Sequence, residues 1–163
     1  MPRVFLGLGS NVDRDRHIRA GLEALRGVFG DLVVSPVYES EAVGFVGENF
    51  LNLVVAIETD LPLRELSQQL RAIEEANGRV RNGPKYSSRT LDIDILTYGD
   101  LSGVHEGIAL PRDEVTKYAF VLCPLADIAP DDILPGTQMS YGRMRAALAP
   151  SALAGLHQLP DWS

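Results

Sequence analysis

The sequence predicts an α+β fold with a ferredoxin-like βαββαβ core, in which helices pack on an antiparallel sheet, followed by a C-terminal extension. Two amphipathic helical segments alternate with four apolar, β-prone segments in the order strand, helix, strand, strand, helix, strand. The chain has 163 residues, of which 45% are hydrophobic. That length supports one domain with a core and is short for two. We therefore expect a single domain over residues 1–163.

The first half of the predicted core is a strand, a helix and a second strand. The strands are predicted over residues 4–8 and 32–38, the helix over 13–29, and a loop over 39–48. Apolar residues recur in the helix at intervals of four, three and four, which places them on one face: Ile18, Leu22, Leu25 and Phe29. Asp13 is suited to the N-cap position and Gly30 to the position that ends the helix.

The second half repeats this pattern and leads into a less regular C-terminal part. A strand is predicted over 50–58, a helix over 62–77 and a strand over 89–98. The helix begins with Pro62, which is favourable in a first turn, and its apolar face is Leu63, Leu66, Leu70 and Ile73. Weaker patterns predict a short edge strand over 108–111 and helices over 119–128 and 141–148.

Charge and cysteine content exclude several classes of function. The net charge of −7 disfavours non-specific binding to nucleic acid or to anionic membranes. Cys123 is the only cysteine, so neither an intramolecular disulfide nor a cysteine-based zinc site is expected. The N-terminal residues lack the apolar core of a signal peptide, and no apolar run approaches the ~20 residues of a membrane helix. We therefore expect a cytoplasmic protein.

Two carboxylates lie two residues apart in the last predicted strand of the core. Side chains alternate along a strand, so Asp92 and Asp94 face the same side, roughly 7 Å apart. Acidic residues are depleted in strands, and this strand is otherwise apolar. Such a pair repels itself unless a cation lies nearby, and Mg²⁺ binds one or two carboxylates together with substrate phosphates. The pattern predicts a metal site, and a chance pair on a solvated strand is the alternative.

Four basic residues precede this strand with no acidic residue among them: Arg79, Arg81, Lys85 and Arg89. The planar guanidinium group of arginine binds phosphate in two places. The loop over 79–88 is long and contains Gly83-Pro84, and long loops in compact domains are often functional lids. The cluster therefore predicts binding of polyphosphate, with a solvated loop without a role as the alternative.

An amide and several aromatic residues have two interpretations each. Asn52 on its apolar strand is either a hydrogen-bonded core amide or a group that reads the amide edge of a heterocycle. Tyr38, Phe45 and Phe120 are either core aromatics, which the sequence favours, or stacking partners for a flat ring.

Other polar positions give weaker signals. The Gly-Leu-Gly-Ser-Asn run at 7–11 matches neither the dinucleotide-binding nor the Walker motif, so it is interpreted as a strand-to-helix turn. Glu74 is expected to be exposed on its helix, where it could anchor nearby bases. The three histidines, His17, His105 and His157, show no ligand spacing and are expected at the surface.

Five segments of the chain occur together in one order. They are Gly-Leu-Gly-Ser-Asn at 7–11, Asn-Phe-Leu-Asn at 49–52, Gly-Arg-Val-Arg at 78–81, Arg-Thr-Leu-Asp-Ile-Asp-Ile at 89–95 and Cys-Pro-Leu-Ala-Asp-Ile-Ala-Pro at 123–130. This set resembles the hydroxymethyl-dihydropterin pyrophosphokinase family of folate biosynthesis, over about residues 4–130. The resemblance implies an ATP- and Mg-dependent diphosphotransferase. Such an enzyme transfers pyrophosphate from ATP to the hydroxymethyl group of 6-hydroxymethyl-7,8-dihydropterin and releases AMP.

The resemblance also implies a role for each candidate residue. Asp92 and Asp94 would hold two Mg²⁺ ions and, with Arg79 and Arg89, would be catalytic. The implied ATP contacts are Glu74, Arg79, Arg81, Lys85, Arg89, Ile95 and Arg112. The pterin would bind Asn52, stack between Phe45 and Phe120, and contact the backbone from Ser40 to Val43. We expect a monomer whose partners are the pterin and ATP, without nucleic acid or membrane.

The chain departs from the family pattern at several positions. Arg112 follows Pro111 where a histidine is usual, Tyr86 replaces a tryptophan, Ser87-Ser88 replace Gly-Pro, and Tyr118 lies where an arginine is common. These differences leave one alternative, a diverged paralogue that binds pterin or another heterocycle without this activity. The basic loop leaves another, a nucleic-acid-binding ferredoxin-like domain, which the net charge disfavours.

Overall fold

The computed structural model describes residues 1–78 and 89–162 and confirms the predicted order of elements. The first seven elements are β1 (Arg3–Ser10), α1 (Arg14–Phe29), β2 (Val33–Val34), β3 (Tyr38–Ser40), β4 (Phe50–Glu58), α2 (Leu63–Ala76) and β5 (Asp92–Tyr98). They are followed by β6 (Gly103–His105), β7 (Ile108–Leu110), α3 (Glu114–Lys117), α4 (Ala119–Ile128), α5 (Tyr141–Ala146), a 3₁₀ helix (Pro150–Leu153) and β8 (His157–Gln158).

The main sheet is antiparallel, with strand order β5-β1-β4-β3-β8, and β2 also pairs with β4. The first and last core strands, β1 and β5, are therefore neighbours, as the split βαβ arrangement requires. This confirms the predicted α+β fold. Among the described residues, no helix is both long and apolar enough to cross a membrane.

Helices cover both faces of the sheet. This buries β4, whose side chains are apolar on both sides. The predicted apolar faces of α1 and α2 pack on one face, against side chains such as Leu6, Leu53 and Ile93. Helices α4 and α5 pack on the other face, against Val54 and Leu96 among others. Each buried aliphatic side chain contributes roughly 1.5–3 kcal/mol to folding, so the two cores fix the sheet between two helical layers.

The C-terminal extension packs on this core. Tyr141 in α5 is 1% exposed, and its ring is nearly perpendicular to the Phe5 ring, with centroids 6.2 Å apart. Strand β8 continues the sheet beyond β3. The Trp162 ring then lies against Arg19 of α1, 4.5 Å from the guanidinium carbon. The sequence left the packing of this tail open.

The predicted strand over 32–38 is two strands. Pro36 has no N–H group for a sheet hydrogen bond, and the register on β4 changes by one residue between the Val34–Val55 and Tyr38–Asn52 pairs. Ser35 bridges the interruption, because its Oγ accepts a 2.8 Å hydrogen bond from the Val54 N–H.

Two other local predictions were confirmed only in part. The predicted short edge strand is present at Ile108–Leu110, and it pairs with β6 in a separate hairpin that the sequence did not predict. The hairpin turn has positive φ at Glu106 (52°) and Gly107 (80°), as a two-residue turn of this kind requires. Asp13 occupies the N-cap position of α1, but its φ is 46° and its carboxylate pairs with Arg16 at 2.6 Å without capping the helix.

Candidate active site

A cleft of about 910 Å³ opens on the face of the sheet that α4 covers, above β1, β4 and β5. The side chains of Asp92 and Asp94 line one side of it and Asn52 the other, while Gly7 and Gly9 of β1 lie between them. The predicted metal site and the predicted heterocycle site are therefore parts of one cleft.

The floor of the cleft is formed by β1 at Gly7 and Gly9, which have no side chains of their own; the Leu96 side chain lies over Gly7. Gly9 is paired with Asp92 on one side and Asn52 on the other, and Gly7 with Asp94 and Val54. Neighbouring strands are about 4.8 Å apart, so the aspartate strand and the asparagine strand are separated by roughly 10 Å across this bare strip. The Gly-x-Gly run thus forms the floor of the cleft, a role that was missed when the sequence was interpreted as a simple turn.

Asp92 and Asp94 face the cleft together, as the alternation of the strand predicted. Their side chains are 27% and 35% exposed. Each faces an arginine: Arg89 Nε lies 3.6 Å from Asp92 Oδ1, and Arg112 Nη2 lies 3.7 Å from Asp94 Oδ1. Both distances exceed that of a hydrogen bond. Two half-buried carboxylates beside a space for phosphate fit Mg²⁺, which takes its other ligands from phosphate and water. The described residues contain no cluster of three or more His, Cys, Asp or Glu suited to a metal.

Arg89 is held through its backbone. Its N–H donates to Asn11 Oδ1 at 2.7 Å, and its carbonyl accepts from the Asn11 N–H at 3.0 Å. The Arg89 side chain is only 11% exposed. Asn11, buried directly after β1, was not identified from the sequence, because its partner lies far along the chain.

Arg112 is joined to both β5 and α3. Its N–H donates to the Leu96 carbonyl at 2.8 Å, and its guanidinium group contacts Glu114 Oε1 at 3.0 and 3.1 Å. Burial alone lowers the pKa of Arg112, but the carboxylates of Asp94 and Glu114 outweigh it, so the pKa is raised and the group stays cationic. The arginine at this position therefore brings a permanent positive charge to the cleft.

Polar and aromatic groups meet at the other end of the cleft. Asn52 is 7% exposed and donates from Nδ2 to Ser40 Oγ at 2.7 Å. Val43 and Phe45 line the cleft from the segment after β3, and Phe120 lines it from α4. The Phe45 ring meets Phe50 edge-on at 6.3 Å, and Phe120 stacks on Tyr118 at 4.8 Å.

The aromatic residues divide between core and cleft. Phe45 and Phe120 keep part of their surface exposed in the cleft, so the expectation that they are core residues was wrong. Tyr38 is a core residue, 5% exposed, and its hydroxyl donates to Asp127. Burial first and the Asp127 carboxylate second raise the pKa of Tyr38, which keeps that hydroxyl protonated.

Two polar residues expected at the surface are buried. Glu74 is 5% exposed, and its Oε2 accepts a 2.8 Å hydrogen bond from the N–H of Ile93, the residue between the two aspartates. It lies next to Ile73 on the buried side of α2, where β5 presents an N–H that needs an acceptor. His17 is 7% exposed, with Nδ1 3.0 Å from Asn77 Oδ1. Ile95 lies in the core on the α1 and α2 side.

Arg79, Arg81 and Lys85, together with Tyr86 and Ser87-Ser88, lie outside the described residues.

Comparison with known proteins gives one consistent family. A model of the 7,8-dihydro-6-hydroxymethylpterin-pyrophosphokinase (HPPK) family matches residues 5–130. A 2-amino-4-hydroxy-6-hydroxymethyldihydropteridine pyrophosphokinase from Pseudomonas aeruginosa is 38% identical over 167 residues, which cover 97% of this chain and 97% of that protein. A protein of the same name from Methylorubrum extorquens is 37% identical over 98% of this chain and 99% of its own length.

Solved structures show the same fold at much lower identity. The Plasmodium falciparum HPPK-DHPS wild type with SDX-DHP has a TM-score of 0.69 and 14% identity over 90% of this chain. An HPPK-DHPS in complex with substrates has a TM-score of 0.70 and 12% identity over 90% of this chain. This chain spans only 43% and 45% of those longer chains, so the likeness concerns the fold alone.

Proposed function

Because the chain belongs to the 7,8-dihydro-6-hydroxymethylpterin-pyrophosphokinase family, we propose that its cleft binds ATP at the Asp92 end and the pterin at the Asn52 end. The chain is an ATP-dependent diphosphotransferase of folate biosynthesis. A bond forms between the hydroxymethyl oxygen of the pterin and the β-phosphorus of ATP, while the bond from that phosphorus to the α,β-bridging oxygen breaks. AMP leaves with the bond electrons, and the proton of the substrate hydroxyl passes to solvent or phosphate.

The observation that carries this assignment is the bare floor at Gly9, where β1 has no side chain between Asp92 and Asn52. It leaves roughly 10 Å between the strand of Asp92 and the strand of Asn52. A flat heterocycle hydrogen-bonded at Asn52 can lie on that floor with its substituent directed towards the aspartates. Holding two reactants in this orientation supplies a large part of the rate enhancement in such reactions.

The chain's charges suit the phosphate end. Asp92 and Asp94 would hold Mg²⁺, and we propose two ions. Bound there, the metal would neutralise charge on the phosphate oxygens and align the attacking and leaving oxygens. Arg89 and Arg112 would bind phosphate oxygens, which replace the loose contacts of these arginines with Asp92 and Asp94. The predicted phosphate contacts of Arg79, Arg81 and Lys85, and nucleotide contacts of Glu74 and Ile95, stay predictions.

The pterin end supplies shape and hydrogen bonds. The donor side of Asn52 is bonded to Ser40, and Asn52 Oδ1 lies over the floor, 3.5 Å from where a Cβ on Gly9 would be. That oxygen is placed to accept from the N–H groups of a pterin. Phe45 and Phe120 would stack on the two faces of the ring, and the backbone from Ser40 to Val43 would contact its edge.

Turnover with the two substrates tests this proposal directly. The purified chain with ATP, Mg²⁺ and 6-hydroxymethyl-7,8-dihydropterin should release AMP in equal amount to the pterin diphosphate formed. Release of ADP in its place, or no turnover, would exclude the assignment. Family membership favours this enzyme over the diverged binding paralogue and the nucleic-acid-binding domain. The monomeric state and the cytoplasmic location stay predictions, the first testable by light scattering.

The metal assignment has its own test. Changing Asp94 to Ala should lower kcat by at least about a thousandfold, since a bound metal contributes several kcal/mol to stabilising the transition state. Pterin affinity should be nearly unchanged, because Asn52 and the aromatics are untouched. A titration with Mg²⁺ that shows one site in place of two would contradict the number of ions but not the role of the aspartates.

A further inference from the structure

The guanidinium group of Arg112 lies between two carboxylates of the cleft and is hydrogen-bonded to one of them. Its Nε and Nη2 contact Glu114 Oε1 at 3.1 and 3.0 Å, which are hydrogen-bond distances. The same Nη2 lies 3.7 Å from Asp94 Oδ1, which is too far for a hydrogen bond. Arg112 is therefore held by Glu114 at a short distance from the carboxylate assigned to the metal.

The backbone fixes the positions from which these two side chains extend. The Arg112 N–H donates to the Leu96 carbonyl at 2.8 Å, and the Arg112 carbonyl accepts from the Val115 N–H at 3.2 Å. Val115 is buried and anchors α3, whose first residue is Glu114. The side chains of Arg112 and Glu114 are 39% and 29% exposed. The guanidinium group can therefore turn from one carboxylate to the other while the backbone stays in place.

A turn of Arg112 towards Asp94 would oppose metal binding. Arginine pairs with a carboxylate at about 2.7–2.9 Å, which is roughly 1 Å shorter than the present distance to Asp94. Such a pair would occupy the carboxylate oxygens that Mg²⁺ needs, and the guanidinium charge would repel the ion. Because arginine stays protonated in proteins, it cannot stop competing by losing a proton. A site with this arginine beside its metal ligand needs a group that restrains the arginine.

We propose that Glu114 is a positioning residue that keeps Arg112 from pairing with Asp94 and so leaves that carboxylate to Mg²⁺. The proposal rests on the metal and phosphate assignments above. By accepting from Nε and Nη2, Glu114 engages the edge of the guanidinium group that lies nearest Asp94. The guanidinium group has five N–H donors in all, so others are left for a phosphate oxygen while Glu114 stays bound.

Metal binding to the full chain without nucleotide measures this role directly. Mn²⁺ is the probe, because it binds the same carboxylate oxygens as Mg²⁺ and the paramagnetic resonance signal of the free ion falls as it binds. Glu114→Ala should raise the Kd for Mn²⁺ about two- to fivefold, the factor by which a partly exposed ion pair between Arg112 and Asp94 would compete with the metal. Glu114→Gln keeps an uncharged acceptor for Arg112 and should raise the Kd less.

Two controls separate this role from a direct effect of the Glu114 charge. In a chain that carries Arg112→Gln, adding Glu114→Ala should leave the Kd for Mn²⁺ unchanged, because no guanidinium group remains to pair with Asp94. If the loss persists in that background, Glu114 acts on the metal as a ligand or through its charge, and the proposal is overturned. Asp113→Asn removes the neighbouring carboxylate, which makes no helix-capping hydrogen bond. It should change the Kd far less than Glu114→Ala, and an equal change would also overturn the proposal.

The outcomes separate this proposal from the assignments on which it rests. An unchanged Kd in Glu114→Ala, or a wild type that binds no Mn²⁺ without nucleotide, would overturn the positioning role while AMP release still supported the assigned reaction. If Glu114→Ala does not fold, Glu114→Gln with and without Arg112→Gln decides the question in the same way. Full Mn²⁺ binding by Asp94→Ala would instead refute the metal assignment, and absence of AMP release in the wild type would refute the assigned function.

Discussion

A methyl group added at Gly9 would fill the floor of the cleft without disturbing the fold. The φ of Gly9 is not in the left-handed region, so alanine can adopt its backbone conformation. The added Cβ would lie 3.5 Å from Asn52 Oδ1 and 3.7 Å from Phe50 Cδ1, which are ordinary van der Waals distances. We expect the free energy of unfolding of Gly9→Ala to stay within about 1 kcal/mol of wild type. Alanine lowers the conformational entropy of the unfolded chain, and this favours the folded state of the variant.

Pterin binding should respond very differently. The methyl group would occupy the strip between Asp92 and Asn52 on which the ring is proposed to lie. Forcing one extra carbon into a close-packed contact costs about 1–3 kcal/mol. That range corresponds to a rise in the Kd for pterin of about 5- to 150-fold. Nucleotide affinity should change much less, because the variant leaves the arginines and the carboxylates of Asp92 and Asp94 unaltered.

Calorimetry for the pterin and urea unfolding for stability distinguish these two effects. Gly27→Ala is the matched control, because a Cβ there meets nothing within 4 Å and the position lies within α1. It should stabilise the fold by about 0.5–1 kcal/mol and leave pterin affinity unchanged. A Gly9→Ala variant that binds pterin as tightly as wild type would show that the ring does not lie on this floor. A strongly destabilised variant would refute the packing argument.

Three further variants test other parts of the structure. Glu74→Ala leaves the buried Ile93 N–H without its acceptor and should cost about 1–3 kcal/mol, or roughly 2–4 °C in Tm for each kcal/mol. Glu74→Gln keeps an acceptor and should lose less than half as much, and equal losses would count against that hydrogen bond. Asn52→Ala should raise the Kd for pterin roughly 10- to 100-fold, from two or three lost hydrogen bonds, with nucleotide affinity unchanged; calorimetry measures both. Burial first, then the Asp132 carboxylate, raises the pKa of Tyr141 to about 12. The unfolded chain loses that proton near pH 10, so the folded state loses up to roughly 2–3 kcal/mol as the pH rises from 10 to 12. Urea unfolding of Tyr141→Phe should show a shallower decline over this window, and parallel curves for the two proteins would contradict the assignment.

Local patterns determined the order of elements and the two carboxylates. Apolar residues at helical spacing identified α1 and α2, because burial of one face requires that spacing. Alternation along β5 placed Asp92 and Asp94 on one side, and this holds wherever the strand lies. Ser35 and Pro36, by contrast, interrupt the segment over 32–38, for which apolar content alone predicted one continuous strand.

Only the tertiary structure decided which residues share the cleft. The floor at Gly9 depends on β1 lying between β5 and β4, and the burial of Glu74 depends on α2 lying against the edge of β5. The contacts of Arg112 with Asp94 and of Asn11 with Glu48 join segments far apart in sequence. Periodicity reports which side of an element is apolar, whereas these contacts depend on which elements become neighbours. The sequence by itself thus determined the chemical groups, and the packing of the sheet determined the site that they form.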